Sequence, residues 1–161
     1  MNEVLITFLA SFLIWFMFAG LLVLWLIDGR IKKEQVLHAL VASILAWVIA
    51  QVIKSLVPTL RPFEVNQELP MTLTIQTDSA FPSGHAALAF GLATTLWLHN
   101  KKLGFIFLVS ALVVGVARVL SNVHYPQDIL GGALLGLATA FVVERLHVYK
   151  LLRGEKIKLD F

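Results

Sequence analysis

From Val4 to Ile27 the chain runs for 24 residues without a charge. Wound as a helix, such a segment is longer than the ~30 Å hydrocarbon core of a bilayer, so it is expected to span with some tilt. A cleaved leader is the competing reading. It fits poorly, because the segment lacks a basic start and its apolar run is too long. Four further apolar stretches follow, at Val36 to Val57, Gly84 to His99, Leu103 to Ser121 and Pro126 to His147. The expected fold is therefore all-α: one domain over residues 1–161, a membrane-embedded bundle of about five transmembrane helices. Composition agrees, since 58% of residues are hydrophobic and 14% charged, too few charges to cover a soluble domain of this length. With no cysteine, thiolate chemistry and disulfides are excluded.

Five spans put alternate connections on opposite faces. One face collects Arg30, Lys32, Lys33, Lys101, Lys102, Arg145, Lys150, Arg153, Lys156 and Lys158, and the other only Lys54, Arg61 and Arg118. By the positive-inside rule the ten-cation face, with the C-terminus, is cytoplasmic. The three remaining cations run against that bias and need another reason to be there. The long connection from Pro58 to Phe81 lies on the same outer face. Within it Met71 to Thr77 alternates apolar and polar residues, which reads as a short strand or an interfacial segment.

Three short patterns return to this outer face. They are Lys54 with Arg61-Pro62, then Pro82-Ser83-Gly84-His85, then Arg118 with His124 and Asp128. Each suits a phosphate. The arginines can grip phosphoryl oxygens bidentately, and Lys54 adds a third positive charge. Ser83 is a good N-cap for a helix whose first N–H groups would face an anion, and Gly84 leaves room for close approach. Pro126 suits a first helical turn, which sets Asp128 within reach of one ring nitrogen of His124 and leaves the other free to attack phosphorus. His85 can protonate a departing oxygen. Taken singly, a lysine at a helix end snorkels and a lone histidine is structural more often than catalytic. The conjunction of the three patterns on one face is what carries weight.

These patterns resemble the signature of the type 2 phosphatidic acid phosphatase (PAP2) superfamily, from Lys54 to Asp128 and on into the Gly131-Gly132 helix. The resemblance implies that His124 is a nucleophile forming a phosphohistidine, oriented by Asp128, with His85 as general acid. It implies further that Lys54, Arg61, Ser83, Gly84 and Arg118 hold the phosphoryl oxygens. One departure is Ala117, where the family usually carries serine. Within the family, the five-span layout and the stretch Asp78 to His85 look most like undecaprenyl-diphosphate phosphatases. Phosphatidylglycerophosphate, phosphatidic acid and lipid A phosphatases compete, and a non-catalytic lipid-phosphate binder or transporter is the reading from another class.

No metal or other cofactor is expected, because three cations can neutralise a transferring phosphoryl group. His38, His99 and His147 fall on the cytoplasmic side or within spans, and Glu64, Glu68 and Asp78 read as a solvated loop face. The expected partners are a lipid phosphate or diphosphate and the bilayer, with no nucleic acid. The expected location is a bacterial inner membrane, with the site on its outer face.

Overall fold

The computed structural model describes residues 2–27 and 30–146, with the side chains of 30–32 excepted. Asp28, Gly29 and His147, and the basic residues Lys150, Arg153, Lys156 and Lys158, lie outside the described residues, as do the side chains of Arg30 and Lys32. Among the described residues six helices run α1 (Glu3–Ile27), α2 (Arg30–Leu56), α3 (Pro62–Asn66), α4 (Gly84–His99), α5 (Lys101–Leu120) and α6 (Pro126–Arg145). The five long helices coincide with the five apolar stretches. Four of them are long and apolar enough to cross a membrane. The exception is α4, whose 16 residues reach only ~24 Å at 1.5 Å per residue.

The short helix is the centre of the bundle. It packs against α2, α5 and α6, and most of its residues are buried, including Ala86, Ala87, Ala89 and Ala93. Such small side chains let helix backbones approach closely where lipid supplies no hydrophobic drive for association. α4 and α6 approach closely. A methyl group on Gly136 would lie 2.6 Å from the backbone nitrogen of Gly91 and 2.8 Å from the carbonyl of Ala87. Gly132 and Gly136 thus owe their four-residue spacing to packing. α1 lies outermost, mainly against α5, and turns Trp15, Phe16 and Leu26 outward, as a lipid-facing helix does.

Asn100 joins α4 to α5 in a single residue, its side chain accepting from the backbone N–H groups of Lys102 and Leu103. The two helices therefore run antiparallel, and the start of α4 meets the end of α5. Residues Met71 to Thr77 form bends and no strand. Among the described residues no strand lies beside it to pair with, so its polar groups find other partners. Met71 N–H donates to the Ser121 carbonyl, and the Thr72 hydroxyl and Gln76 amide donate to Thr74.

The close α4–α6 approach makes a stability prediction. Gly136→Ala should lower the thermal unfolding midpoint in detergent, at a cost of about 1–3 kcal/mol, the usual range for overpacking. Gly20→Ala should be tolerated, because its methyl would meet only the end of the Phe107 ring, at 3.4 Å.

Candidate active site

The site forms where the ends of α2 and α5 meet the starts of α4 and α6. The backbone N–H of Ser83 donates to the Asp128 carbonyl at 2.9 Å, which fastens the start of α4 to the first turn of α6. Ser83 caps α4 through its hydroxyl, which accepts from Ala86 N–H at 3.4 Å. Between α5 and α6 the chain reverses through Asn122, at φ 63°, held by side-chain bonds with Asn66 and the Glu68 carbonyl. That turn delivers His124.

His124 and Asp128 are both buried, and the ring Nδ1 faces the Asp128 carboxylate at 3.4 Å. The same carboxylate oxygen accepts from the Tyr125 backbone N–H at 2.8 Å, so its position is set by the helix start. With the Nδ1 proton directed at Asp128, Nε2 carries the lone pair. Arg61 Nη1 lies 3.5 Å from that atom. Burial pushes the imidazole pKa down, the Asp128 hydrogen bond pulls it up, and the charges of Arg118, Arg61 and Lys54 press it down again. The result is a pKa of about 4.

All three cations are buried, Lys54 at 6%, Arg61 at 1% and Arg118 at 2% exposure. Each is held by backbone oxygens. Arg61 donates to the carbonyls of Val123 and Asp78, both at 2.9 Å, and Lys54 donates to the Ser79 carbonyl. Arg118 donates to the Ala10 carbonyl of α1 at 3.3 Å, while its Nε has no hydrogen-bond partner among the described residues. Half-buried His85 feels the charges of Arg118, His124, Lys54 and Arg61. Seven of the eight residues singled out in the sequence therefore lie together at this end of the bundle. Gly84 is present too, but a side chain there would meet Trp47 of α2 at 3.2 Å. Its small size serves helix packing more directly than ligand access.

Two further residues belong to the site and were not assigned to it from sequence. Asp78 pairs with Arg61 Nη2 at 2.6 Å and with Lys54 at 3.1 Å, although its side chain stays 44% exposed. Burial would raise its pKa, yet the two cations outweigh that and hold it below the usual carboxylate range. Gln76 accepts from Arg118 Nη2 at 2.8 Å through its side-chain oxygen. The loop thus presents oxygens to the donors a phosphate would need. Glu64 stays exposed, as the sequence suggests, and accepts from the Arg61 backbone N–H at 2.6 Å. The position of Asp78, four residues before Pro82, was the available signal.

Beside the cradle an apolar groove of about 380 Å³ opens between α5 and α6, with Phe90 of α4 at its floor. Val116, Leu120, Pro126 and Ile129 line it, and Leu120 and Pro126 flank the His124 turn.

At the opposite end, His38 and His99 both meet Glu144. The sequence reading gave these residues no shared role, because helices α2, α4 and α6 bring them together only in the packed bundle.

A family model described as the PAP2 superfamily matches residues 35–151. A bacitracin transport permease protein BcrC from Bacillus licheniformis is 35% identical over 136 residues, covering 84% of this chain and 67% of that protein. An undecaprenyl-diphosphatase BcrC from Bacillus subtilis is 28% identical over 125 residues, covering 78% of this chain and 64% of that protein. The chain thus spans about two thirds of the length of these relatives. The crystal structure of Aquifex aeolicus LpxE superposes with a TM-score of 0.68 at 25% identity, covering 88% of this chain and 84% of that one.

Two measurements test the electrostatics. A His124 pKa near 4 keeps the ring neutral, hence nucleophilic, through the range where an ordinary histidine protonates. Histidine NMR, assigned with His124→Ala, should show this ring titrating well below pH 6, and an ordinary midpoint would refute the burial argument. Asp78→Asn removes the anion competing for Lys54 and Arg61. Inorganic phosphate should then bind several-fold more tightly, read from its inhibition constant.

Proposed function

This chain belongs to the PAP2 superfamily, and we propose that it hydrolyses a lipid diphosphate, undecaprenyl diphosphate before others, through a phosphohistidine on His124. The observation that carries this reading is the His124 ring, hydrogen-bonded to Asp128 on one nitrogen and turned toward Arg61 on the other, amid three buried cations.

In the first step Nε2 of His124 attacks the terminal phosphorus, and the bond from phosphorus to the bridging oxygen breaks. Lys54, Arg61 and Arg118 take up the charge on the phosphoryl oxygens once Asp78 and Gln76 yield their places, with the start of α4 at Ser83 adding backbone donors. His85 gives its proton to the leaving oxygen, which departs as the lipid monophosphate. In the second step His85 takes a proton from water, the water oxygen attacks the phosphohistidine, and phosphate leaves with His124 restored. Asp128 holds the ring tautomer throughout and stabilises the positive charge the ring acquires.

The groove between α5 and α6 supports a lipid substrate, since it is apolar, faces the membrane and ends beside the His124 turn. A polyprenyl tail fits such a groove, and the relative named undecaprenyl-diphosphatase favours that tail over a diacylglycerol one. The uneven charge of the two faces supports a site on the outer leaflet with the basic face in the cytoplasm. A transport role is the second reading, because one similar protein is named a transport permease. Transport has no use for a histidine–carboxylate pair at the phosphate cradle, so hydrolysis accounts for more of what is there.

Purified protein should release phosphate from undecaprenyl diphosphate with EDTA present, and His124→Ala should cut the rate by about a thousandfold or more, as loss of a covalent nucleophile does. His85→Ala should cost less on the diphosphate than on phosphatidic acid, whose alkoxide needs protonation more. Faster release from phosphatidylglycerophosphate would change the substrate. Binding of lipid phosphate without release would favour transport.

A further inference from the structure

Two histidines and a glutamate meet at the end of the bundle remote from the phosphate cradle. Glu144 of α6 brings one carboxylate oxygen to 3.2 Å from His38 Nδ1 of α2 and to 2.9 Å from His99 Nε2 of α4. One ligand atom from each residue lies within 4.8 Å of the other two. Sixteen residues separate His38 from Lys54 along α2, so the cluster sits ~24 Å from the cradle by helical rise and takes no part in its chemistry.

We propose that His38, His99 and Glu144 form a zinc site that clamps α2, α4 and α6 together. Tetrahedral zinc bonds nitrogen and carboxylate oxygen at about 2.0–2.2 Å, which sets ligand atoms roughly 3.3 Å apart. The two contacts to Glu144 already span that distance within 0.4 Å. Only the separation between the histidines has to close, and their rings stand side by side with centroids 5.6 Å apart. Two imidazoles and one carboxylate suit zinc, whereas magnesium and calcium call for a shell of oxygens. His38 is buried and anchored in the bundle, while the Glu144 side chain is 37% exposed. That opening gives the ion a way in and leaves a fourth position for water.

The three ligands come from the helices that frame the site at their other ends. α4 is the short one, and a metal at its last residue would fix its depth against α2 and α6. The clamp acts on helix packing and leaves the nucleophile and the three cations as they are.

The test uses tag-free, full-length protein in detergent, stripped with EDTA and titrated with zinc(II) alone. We expect one zinc per chain retained through gel filtration, with a dissociation constant at or below about 1 µM, and a midpoint of thermal unfolding raised by several degrees. Magnesium should give no shift. Cobalt(II) should develop the intense visible bands of a tetrahedral site. Glu144→Gln, which keeps a hydrogen-bond acceptor for the histidines, should unfold near the wild-type midpoint in EDTA yet lose the zinc-induced rise, and His99→Ala should lose it too. His124→Ala should keep both the stoichiometry and the rise, separating this site from the catalytic histidines. Zinc retained equally by Glu144→Gln and His99→Ala, or no stoichiometric zinc in the wild type, would overturn the proposal and leave a hydrogen-bonded clasp of three side chains.

Discussion

Three positive charges buried inside an apolar helical bundle are the constraint on which the rest of this structure depends. A cation taken out of water is costly unless oxygen atoms surround it, and helices spend their own carbonyls internally. The oxygens must therefore come from irregular backbone. The loop between α2 and α4 supplies those of Asp78 and Ser79, and the turn before α6 supplies that of Val123. The Ala10 carbonyl is the exception, reached by Arg118 from within α1. Non-helical chain at the membrane boundary is tolerated here because it solvates charge.

The same constraint accounts for the short central helix. α4 starts where the cradle needs backbone donors, and it ends at the single-residue turn through Asn100. Buried on all sides by α2, α5 and α6, it need not match the thickness of the bilayer. Its alanines and the facing glycines of α6 allow the Ser83 N–H to reach the Asp128 carbonyl. One hydrogen bond thus joins the helix that carries His85 to the helix that carries Asp128.

Asp78 and Gln76 supply the buried cations with one anion and one neutral acceptor from the same loop. An ionised carboxylate across Lys54 and Arg61 lowers the cost of holding two cations close together. An incoming phosphoryl group would have to offer those cations more than one carboxylate does. A doubly charged phosphate does so by charge and by number of oxygens.

Much of this was legible in the residues alone. Apolar runs locate the five long helices, because in lipid a backbone must satisfy itself, and the spacing of Lys54, Arg61, Ser83, His85, Arg118, His124 and Asp128 brings one face's polar groups together. Ala117 is buried beside Arg118 and leaves that convergence intact. Sequence could not decide that Met71 to Thr77 bends instead of pairing, because a strand needs a partner that local alternation does not reveal. Nor could it decide that Gly84 rests on Trp47, that Asp78 enters the cradle, or that His38, His99 and Glu144 meet. Those outcomes depend on the rotation and depth of helices distant in sequence. Periodicity and charge determine which segments span and which face is polar, while contact between helices follows from close packing, which only the folded bundle decides.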